Sequence, residues 1–301
     1  MFRLKTFGQL TLLKTLTFDS MENNDTQQAK AIAFKALHQG DEMLIIPNIW
    51  DPLGARLLES LGYPAIATAS ASVALTNGYD DGEQIPLDDA LTRITEITRI
   101  VKIPVSADFE SAYASNDVQL QRNVELLLQT GVVGLNFEDY NARTSSLYPV
   151  DVQCKRIKVI RKTAESAGIP FFINARTDVY FRGNLYPEDQ RLEETIARGK
   201  AYLDAGGDCF FPPGMKDKDE LFKLIQTLKS PVNVIAIPGI PDFDTMKQIG
   251  VARLSLGPGY LKIAIRAMKD MALKLKGHDG LTDVLQNDVT SDHLKKLVKN
   301  A

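Results

Sequence analysis

The chain is 301 residues long, 44% hydrophobic and 24% charged, enough for one large domain with a substantial core. A net charge of −3 with no basic run argues against nucleic acid as a partner, and no apolar stretch is long enough for a helix to cross a bilayer. Cys154 and Cys209 form neither a disulfide framework nor a metal-ligand spacing, so they read as small apolar residues of a reduced, cytoplasmic protein.

From the N-terminus, Met1 to Thr17 carry Arg3, Lys5 and Lys14, with no acid before Asp19. This reads as a poorly ordered leader over residues 1–25, ahead of a start at Met21; an organellar targeting segment is the alternative. Beyond it, strand-like apolar runs are expected at Met43–Pro47, Ala65–Ala69, Val105–Phe109, Val133–Phe137, Phe171–Ala175, Cys209–Phe211, Val232–Ile237 and Ala252–Leu256. Helical stretches are expected between and after them, at Pro52–Leu61, Leu87–Val101, Val118–Thr130, Val152–Ala167, Arg191–Ala205, Asp217–Leu228, Asp242–Ile249 and Tyr260–Leu275. Glycines 62, 131, 168 and 206 follow predicted helix ends, and Asp51-Pro52 and Asp217 look like helix starts. Such alternation gives a parallel α/β sheet. A doubly wound sheet would place a glycine-rich loop after its first strand, but Pro47-Asn48-Ile49-Trp50-Asp51 holds no glycine. The expected fold is therefore a single (β/α)8 TIM-type barrel over residues 26–276, with a C-terminal helical tail at 277–301.

Three of the apolar runs end in charge. They are Val105-Ser-Ala-Asp108-Phe-Glu110, Val132-Val-Gly-Leu-Asn-Phe-Glu138-Asp139 and Phe171-Phe-Ile-Asn-Ala-Arg176-Thr-Asp178. In a parallel barrel those ends meet at one mouth, where active sites lie. Several carboxylates with a guanidinium suit a hard divalent cation and an anionic substrate. A lone acid at a strand end more often caps a helix or pairs with a base; three in succession point to a site.

These runs, together with Asn48-Ile-Trp-Asp-Pro-Leu-Gly, the Ala67-Thr-Ala-Ser70 strand end and Gly78-Tyr-Asp-Asp81-Gly-Glu83, resemble the isocitrate lyase/phosphoenolpyruvate mutase superfamily, in order from about Asn48 to Leu256. The resemblance implies a barrel enzyme, assembled as a dimer of helix-swapped dimers. It implies Mg2+, with Mn2+ as a substitute, and a small 2-oxo or 2-hydroxy carboxylate passing through an enolate. By the same resemblance Asp108 is the direct metal ligand, while Glu110 and Glu138 hold metal waters. Arg176 forks onto the substrate carboxylate, and Asp81 reaches the metal from the loop after the second strand. Ser70, with the backbone N–H groups of Ala71 and Ser72, holds carboxylate and carbonyl; a helix N-cap is the other role open to Ser70.

The departures narrow the reading. Isocitrate-type lyases carry a cysteine and histidine on the loop after the fourth strand, which here reads Tyr140-Asn-Ala-Arg143-Thr144-Ser145-Ser146-Leu147-Tyr148. Arg143-Thr-Ser-Ser-Leu147 has the shape of the Lys-Thr-Asn-Ser-Leu run of phosphonopyruvate enzymes, with Ser145 in place of asparagine. Arg143 and Ser145 are thus the lid residues facing substrate, and the loop is expected to close over a small ligand. The expected activity is a Mg2+-dependent carbon–carbon lyase or decarboxylase of a cysteine-less branch. Phosphonopyruvate chemistry and a non-catalytic 2-oxo-acid binder are the alternatives.

Overall fold

The computed structural model describes residues 27–40 and 42–299, so the leader expected over residues 1–25 lies outside the described residues. A helix over residues 27–37 (α1) precedes a strand that Pro47 splits into β1 (Leu44–Ile46) and β2 (Asn48–Ile49). The remaining long strands are β3 (Ile66–Thr68), β4 (Val105–Asp108), β5 (Gly134–Glu138), β8 (Phe172–Arg176), β9 (Cys209–Phe211), β10 (Asn233–Ile235) and β11 (Arg253–Ser255). A small antiparallel hairpin, β6 (Tyr140–Asn141) with β7 (Ser146–Leu147), stands where a plain loop was expected. Between the strands run α2 (Pro52–Ser60), α3 (Ser70–Thr76), α4 (Leu87–Ile100), α5 (Asp117–Gln129), α6 (Val150–Ser166), α7 (Glu188–Asp204), α8 (Lys218–Leu228) and α9 (Phe243–Ile249). They are followed by α10 (Gly259–Lys276) and two tail helices, α11 (Leu281–Leu285) and α12 (Ser291–Lys299).

All long strands pair in parallel. The order β2-β3-β4-β5-β8-β9 passes through a Phe210–Val232 bridge to β10-β11-β1, which returns to β2 across Pro47. The pairings therefore circle through eight strand positions, as a TIM-type barrel requires. Asn48 closes the seam: its amide Nδ2 donates to Thr68 O (2.7 Å), and its Oδ1 accepts from Leu256 N (2.8 Å) and Gly257 N (3.0 Å). Helix starts follow the sequence signals. Asp51 accepts from Gly54 N at 2.8 Å ahead of Pro52, and Asp217 accepts from Asp219 N and Glu220 N.

Alternation along the strands divides two cores. Leu135, Phe137, Ile173, Phe210, Val234 and Leu254 are buried in the hydrophobic cluster. The other set is polar and fully or nearly buried: Ser106, Asn136, Asn174, Asn233, Arg253 and Ser255. Branched aliphatics usually fill a barrel interior; here hydrogen bonds between Asn174 and Asn136, and between Ser255 and Asn233, run across strands instead. At one end of that interior Phe172 meets α1, with ring centroids 5.2 Å from Phe34 and 4.0 Å from His38. Burial pulls the His38 imidazole down to about 3, so it is neutral packing rather than chemistry.

Beyond the barrel, α12 folds back on α2, where Arg56 Nε donates to the buried Leu297 carbonyl at 2.9 Å. The outer face of α10 leaves Ile263, Ile265, Met268 and Leu273 exposed.

Strand spacing sets one strict demand. A Cβ on Gly134 would stand 2.6 Å from the Phe172 carbonyl oxygen and 2.9 Å from Phe172 Cβ, its register partner. Gly134→Ala must push β5 and β8 apart. A loss of about 1–3 kcal/mol, the usual cost of overpacking, is expected in a denaturant titration; an unchanged midpoint would mean the two strands are free to separate.

Candidate active site

Asp108 ends β4 at the mouth, and donors hold both of its carboxylate oxygens. Ser70 donates to Oδ2 from its backbone N (3.1 Å) and its Oγ (2.8 Å), while Asn136 Nδ2 donates to Oδ1 (3.2 Å). Ser70 is therefore neither a helix cap nor a free ligand contact. Ala69 caps α3, and Ser70, Ala71 and Ser72 form its first turn. The N–H groups of a first helical turn have no partner within their own helix, which is what carboxylate or carbonyl binding at Ala71 and Ser72 requires. The Ser72 hydroxyl is buried without a hydrogen-bond partner.

Two loops that leave their strands in left-handed backbone bring further acids together. Glu83 (φ 59), Glu110 (φ 50), Ala112 (φ 64) and Tyr113 (φ 53) all have positive φ without being glycine, a strain that clusters at functional sites. Glu83 staples the two loops: its carboxylate accepts from Ser111 Oγ and Tyr113 N, both at 2.7 Å, and its N–H donates to Glu110 Oε2 at 2.7 Å. Burial, then Asp81, Asp108 and Glu83, push the Glu110 carboxyl up to about 8. Asp81, although exposed along one edge, is raised by burial and then by Asp108. Glu138 is raised chiefly by burial; Arg176 opposes the shift, while Asp178, Glu110 and Asp108 add to it. Asp81, Glu110 and Glu138 thus lie within electrostatic reach of Asp108, whose charge adds to burial in making each of the three harder to ionise.

Arg176 is already engaged. It forks onto Asp178, Nε to Oδ1 at 2.6 Å and Nη2 to Oδ2 at 3.0 Å, and its Nη1 meets Glu138 Oε2 at 2.8 Å. It is a structural partner of both acids, and replacing it would remove the ion pairs that Glu138 and Asp178 make with it. Arg143 and Ser145 sit on the β6–β7 hairpin. Arg143 lines a cleft of about 270 Å³ with Gly82, Glu83, Gln84 and Tyr113, and Ser145 is exposed at the turn with φ 50. The Arg182 guanidinium lies 4.0 Å over the Tyr140 ring and ties the hairpin to the loop after β8.

Several supports were not singled out from the sequence. Asp139 is fully buried and accepts from Thr177 Oγ1 (2.6 Å), Asp178 N (2.9 Å), Arg198 Nη1 (3.0 Å) and Tyr202 OH (2.8 Å). Arg156 donates to Ser111 O (2.7 Å) and stacks 4.1 Å over Tyr148. Arg156, Arg198 and Tyr202 lie on helices, where charged and polar residues ordinarily read as a solvated face; the one available signal is the Arg198/Tyr202 spacing of four. Tyr180, on the loop after β8, donates to Glu220 Oε2 at 2.8 Å. Cys154 faces α7, with Sγ 3.4 Å from the Ala201 carbonyl, and Cys209 is core. The three histidines lie in the α1 plug and the C-terminal tail, so the mouth has no imidazole. Gly257 N is taken by Asn48, which leaves the Gly257-Pro-Gly259 segment a turn into α10.

The donor set is all oxygen, as a hard cation prefers. Among the described residues no three acidic, histidine or cysteine side chains group closely enough to hold an ion alone. That fits Mg2+, which keeps several waters and takes one or two carboxylates. Asp108, oriented from both sides, is the carboxylate that could hold such a cation, with Glu110 and Glu138 nearby.

Known proteins share the sequence pattern and the fold. The sequence model of the phosphoenolpyruvate phosphomutase family matches residues 34–276. An oxaloacetate decarboxylase of Pseudomonas putida (strain GB-1) is 25% identical over 269 residues, covering 86% of this chain and 89% of its own. The crystal structure of a Burkholderia cenocepacia J2315 protein superposes with TM-score 0.82 at 32% identity, covering 90% of this chain and 96% of that one. A 2,3-dimethylmalate lyase gives TM-score 0.77 at 26% identity, covering 89% and 94%.

The shift of Glu110 has a measurable consequence. Its carboxyl titrates near 4.5 when unfolded and near 8 when folded. Between these values the folded chain keeps a proton that the unfolded chain has released. Its contribution to stability is therefore complete below the lower value and is lost as pH rises through the upper one. The melting temperature of metal-free protein should fall from about pH 4.5 to about pH 8, and less so in Glu110→Gln. Equal slopes in the two proteins would clear Glu110 of the effect.

Proposed function

The chain belongs to the phosphoenolpyruvate phosphomutase family, and from that premise we propose that it is a Mg2+-dependent carbon–carbon lyase or decarboxylase acting on a small 2-oxo or 2-hydroxy carboxylate. The observation that carries this reading is the crowd of acids around an oriented Asp108, with Arg176 beside them. Bound there, Mg2+ would supply a Lewis acid that stabilises negative charge developing on the substrate α-oxygen. Asp108 presents an oriented carboxylate toward the cation. Arg176 offers its remaining N–H groups to the substrate carboxylate, and the first turn of α3 offers backbone donors. The hairpin carrying Arg143 and Ser145 covers the mouth and excludes water from the enolate.

The absence of histidine and cysteine at the mouth favours decarboxylation of a 2-oxo diacid over lysis of a hydroxy acid. Loss of CO2 needs an electron sink, whereas cleavage beside a hydroxyl also needs a base. The segments Phe211-Pro212-Pro213-Gly214 and Ile237-Pro238-Gly239 after β9 and β10 carry no carboxylate or amide, and a cation, Lys216, lies beside them with its Nζ 3.8 Å from where a Cβ on Gly239 would stand. A panel of oxaloacetate, substituted malates, isocitrates and phosphonopyruvate at fixed Mg2+ separates the classes. Pyruvate from oxaloacetate is the expected product; phosphate release would move the protein to phosphorus–carbon chemistry, and binding without turnover would make it a 2-oxo-acid binder. In calorimetry Asp108→Ala should lose Mg2+-dependent binding of oxalate, a planar enolate mimic, and retained binding would remove Asp108 from the site.

We also propose a homotetramer built as a dimer of helix-swapped dimers, supported by the exposed Ile263, Ile265, Met268 and Leu273 of α10. Light scattering should give four times the 33.3 kDa chain mass. A monomer at micromolar concentration would overturn this assembly.

A further inference from the structure

The barrel interior holds a cation that the reading above leaves unused. Arg253, on β11, is fully buried, yet among the described residues no carboxylate lies within ion-pair distance of it. Its Nε donates to Ser255 Oγ at 3.2 Å and its Nη2 to Asn136 Oδ1 at 3.4 Å, while Nη1 has no hydrogen-bond partner among the described residues. Burial pulls the guanidinium down to about 10, so it is still charged at neutral pH. Packing alone would be served by an aliphatic side chain, because an incompletely paired buried charge is costly.

We infer that Arg253 is a positioning residue for Asp108, acting through the side-chain amide of Asn136; this inference rests on the acid site proposed above. The argument is one of polarity. Asn136 Oδ1 accepts from Asn174 Nδ2 at 2.8 Å and from Arg253 at 3.4 Å, which leaves Asn136 Nδ2 to donate to Asp108 Oδ1 at 3.2 Å. If the amide turned over, it would point an oxygen at the carboxylate. Asn174 cannot prevent this by itself. It is an amide too, its Oδ1 has no partner, and by turning over it could accept from a reversed Asn136. Arg253 has donors and no acceptor, so it fixes one direction for the whole chain of amides. With Ser70 holding Oδ2 from the other side, the Asp108 carboxylate keeps one orientation.

The test measures binding of Mg2+ with oxalate by calorimetry, with melting temperatures recorded in parallel on the full chain. Arg253→Lys keeps a donor-only group and should bind within a few-fold of wild type. Arg253→Gln, which can donate or accept, should weaken binding about tenfold, the order set by one hydrogen bond, and so should Asn136→Ala. The double variant Arg253→Gln/Asn136→Ala should bind no worse than Asn136→Ala alone, because both changes break one relay. Wild-type affinity in Arg253→Gln would overturn the inference, as would a lysine variant as weak as the glutamine one. Losses that multiply in the double variant, or that only track melting temperature or failure to fold, would make the residue structural and overturn it as well. Failure of the wild type itself to bind Mg2+ with oxalate would instead overturn the acid-site reading, and the relay with it.

Discussion

Like-charge crowding at the mouth is the constraint on which the rest of this structure depends. Asp81, Glu110 and Glu138 all come within electrostatic reach of Asp108, and burial, with that charge beside them, makes each of the three harder to ionise. A fold tolerates such a cluster only if something else holds it in place. Here that work falls to neutral donors and one shared guanidinium: Ser70 and Asn136 on Asp108, the Glu83 N–H on Glu110, and Arg176 on Glu138. A cluster of mutually repelling oxygens with fixed lone pairs is what a hard cation relieves, and the same repulsion makes the metal-free chain sensitive to pH.

Around the mouth, helices add to the support that the strands carrying the acids provide. Asp139, next to Glu138, collects four donors and pairs with Arg198 of α7, while Arg156 of α6 holds the loop after β4 through the Ser111 carbonyl. These are buried, charge-assisted contacts, stronger than neutral ones and costly to break singly. Strain in the Glu83 and Glu110–Tyr113 loops is sustained by this scaffold. The hairpin after β5 is tied to the frame by lighter contacts, the Tyr148 N–H to Asp139 O at 2.8 Å and the Arg182–Tyr140 stack.

Chemistry in such a site is set by what is missing as much as by what is present. The mouth has no imidazole or thiol, Tyr180 is committed to Glu220, and neither cysteine reaches the acids. What it offers is charge stabilisation by oriented donors and a guanidinium among partly buried acids, the setting in which preorganised charges act most strongly.

Much of this was legible in the sequence. Alternating apolar runs with period-breaking glycines and prolines point to the parallel barrel, because each strand must bury an apolar face against the helices and helices must end where the chain turns. The acids at the ends of β4 and β5 and the arginine ending β8 followed from the same pattern, since parallel strands deliver their C-terminal ends to one rim. Tertiary structure alone decided the partners. Whether Ser70 caps a helix or holds Asp108, whether Arg176 is free or forked onto Asp178, and how Arg253 meets Asn136 across 117 positions all depend on side chains from distant strands. A hydrogen bond is a short-range, directional contact, and a linear sequence carries no distance between residues that only the closed barrel brings within three ångströms or so of each other.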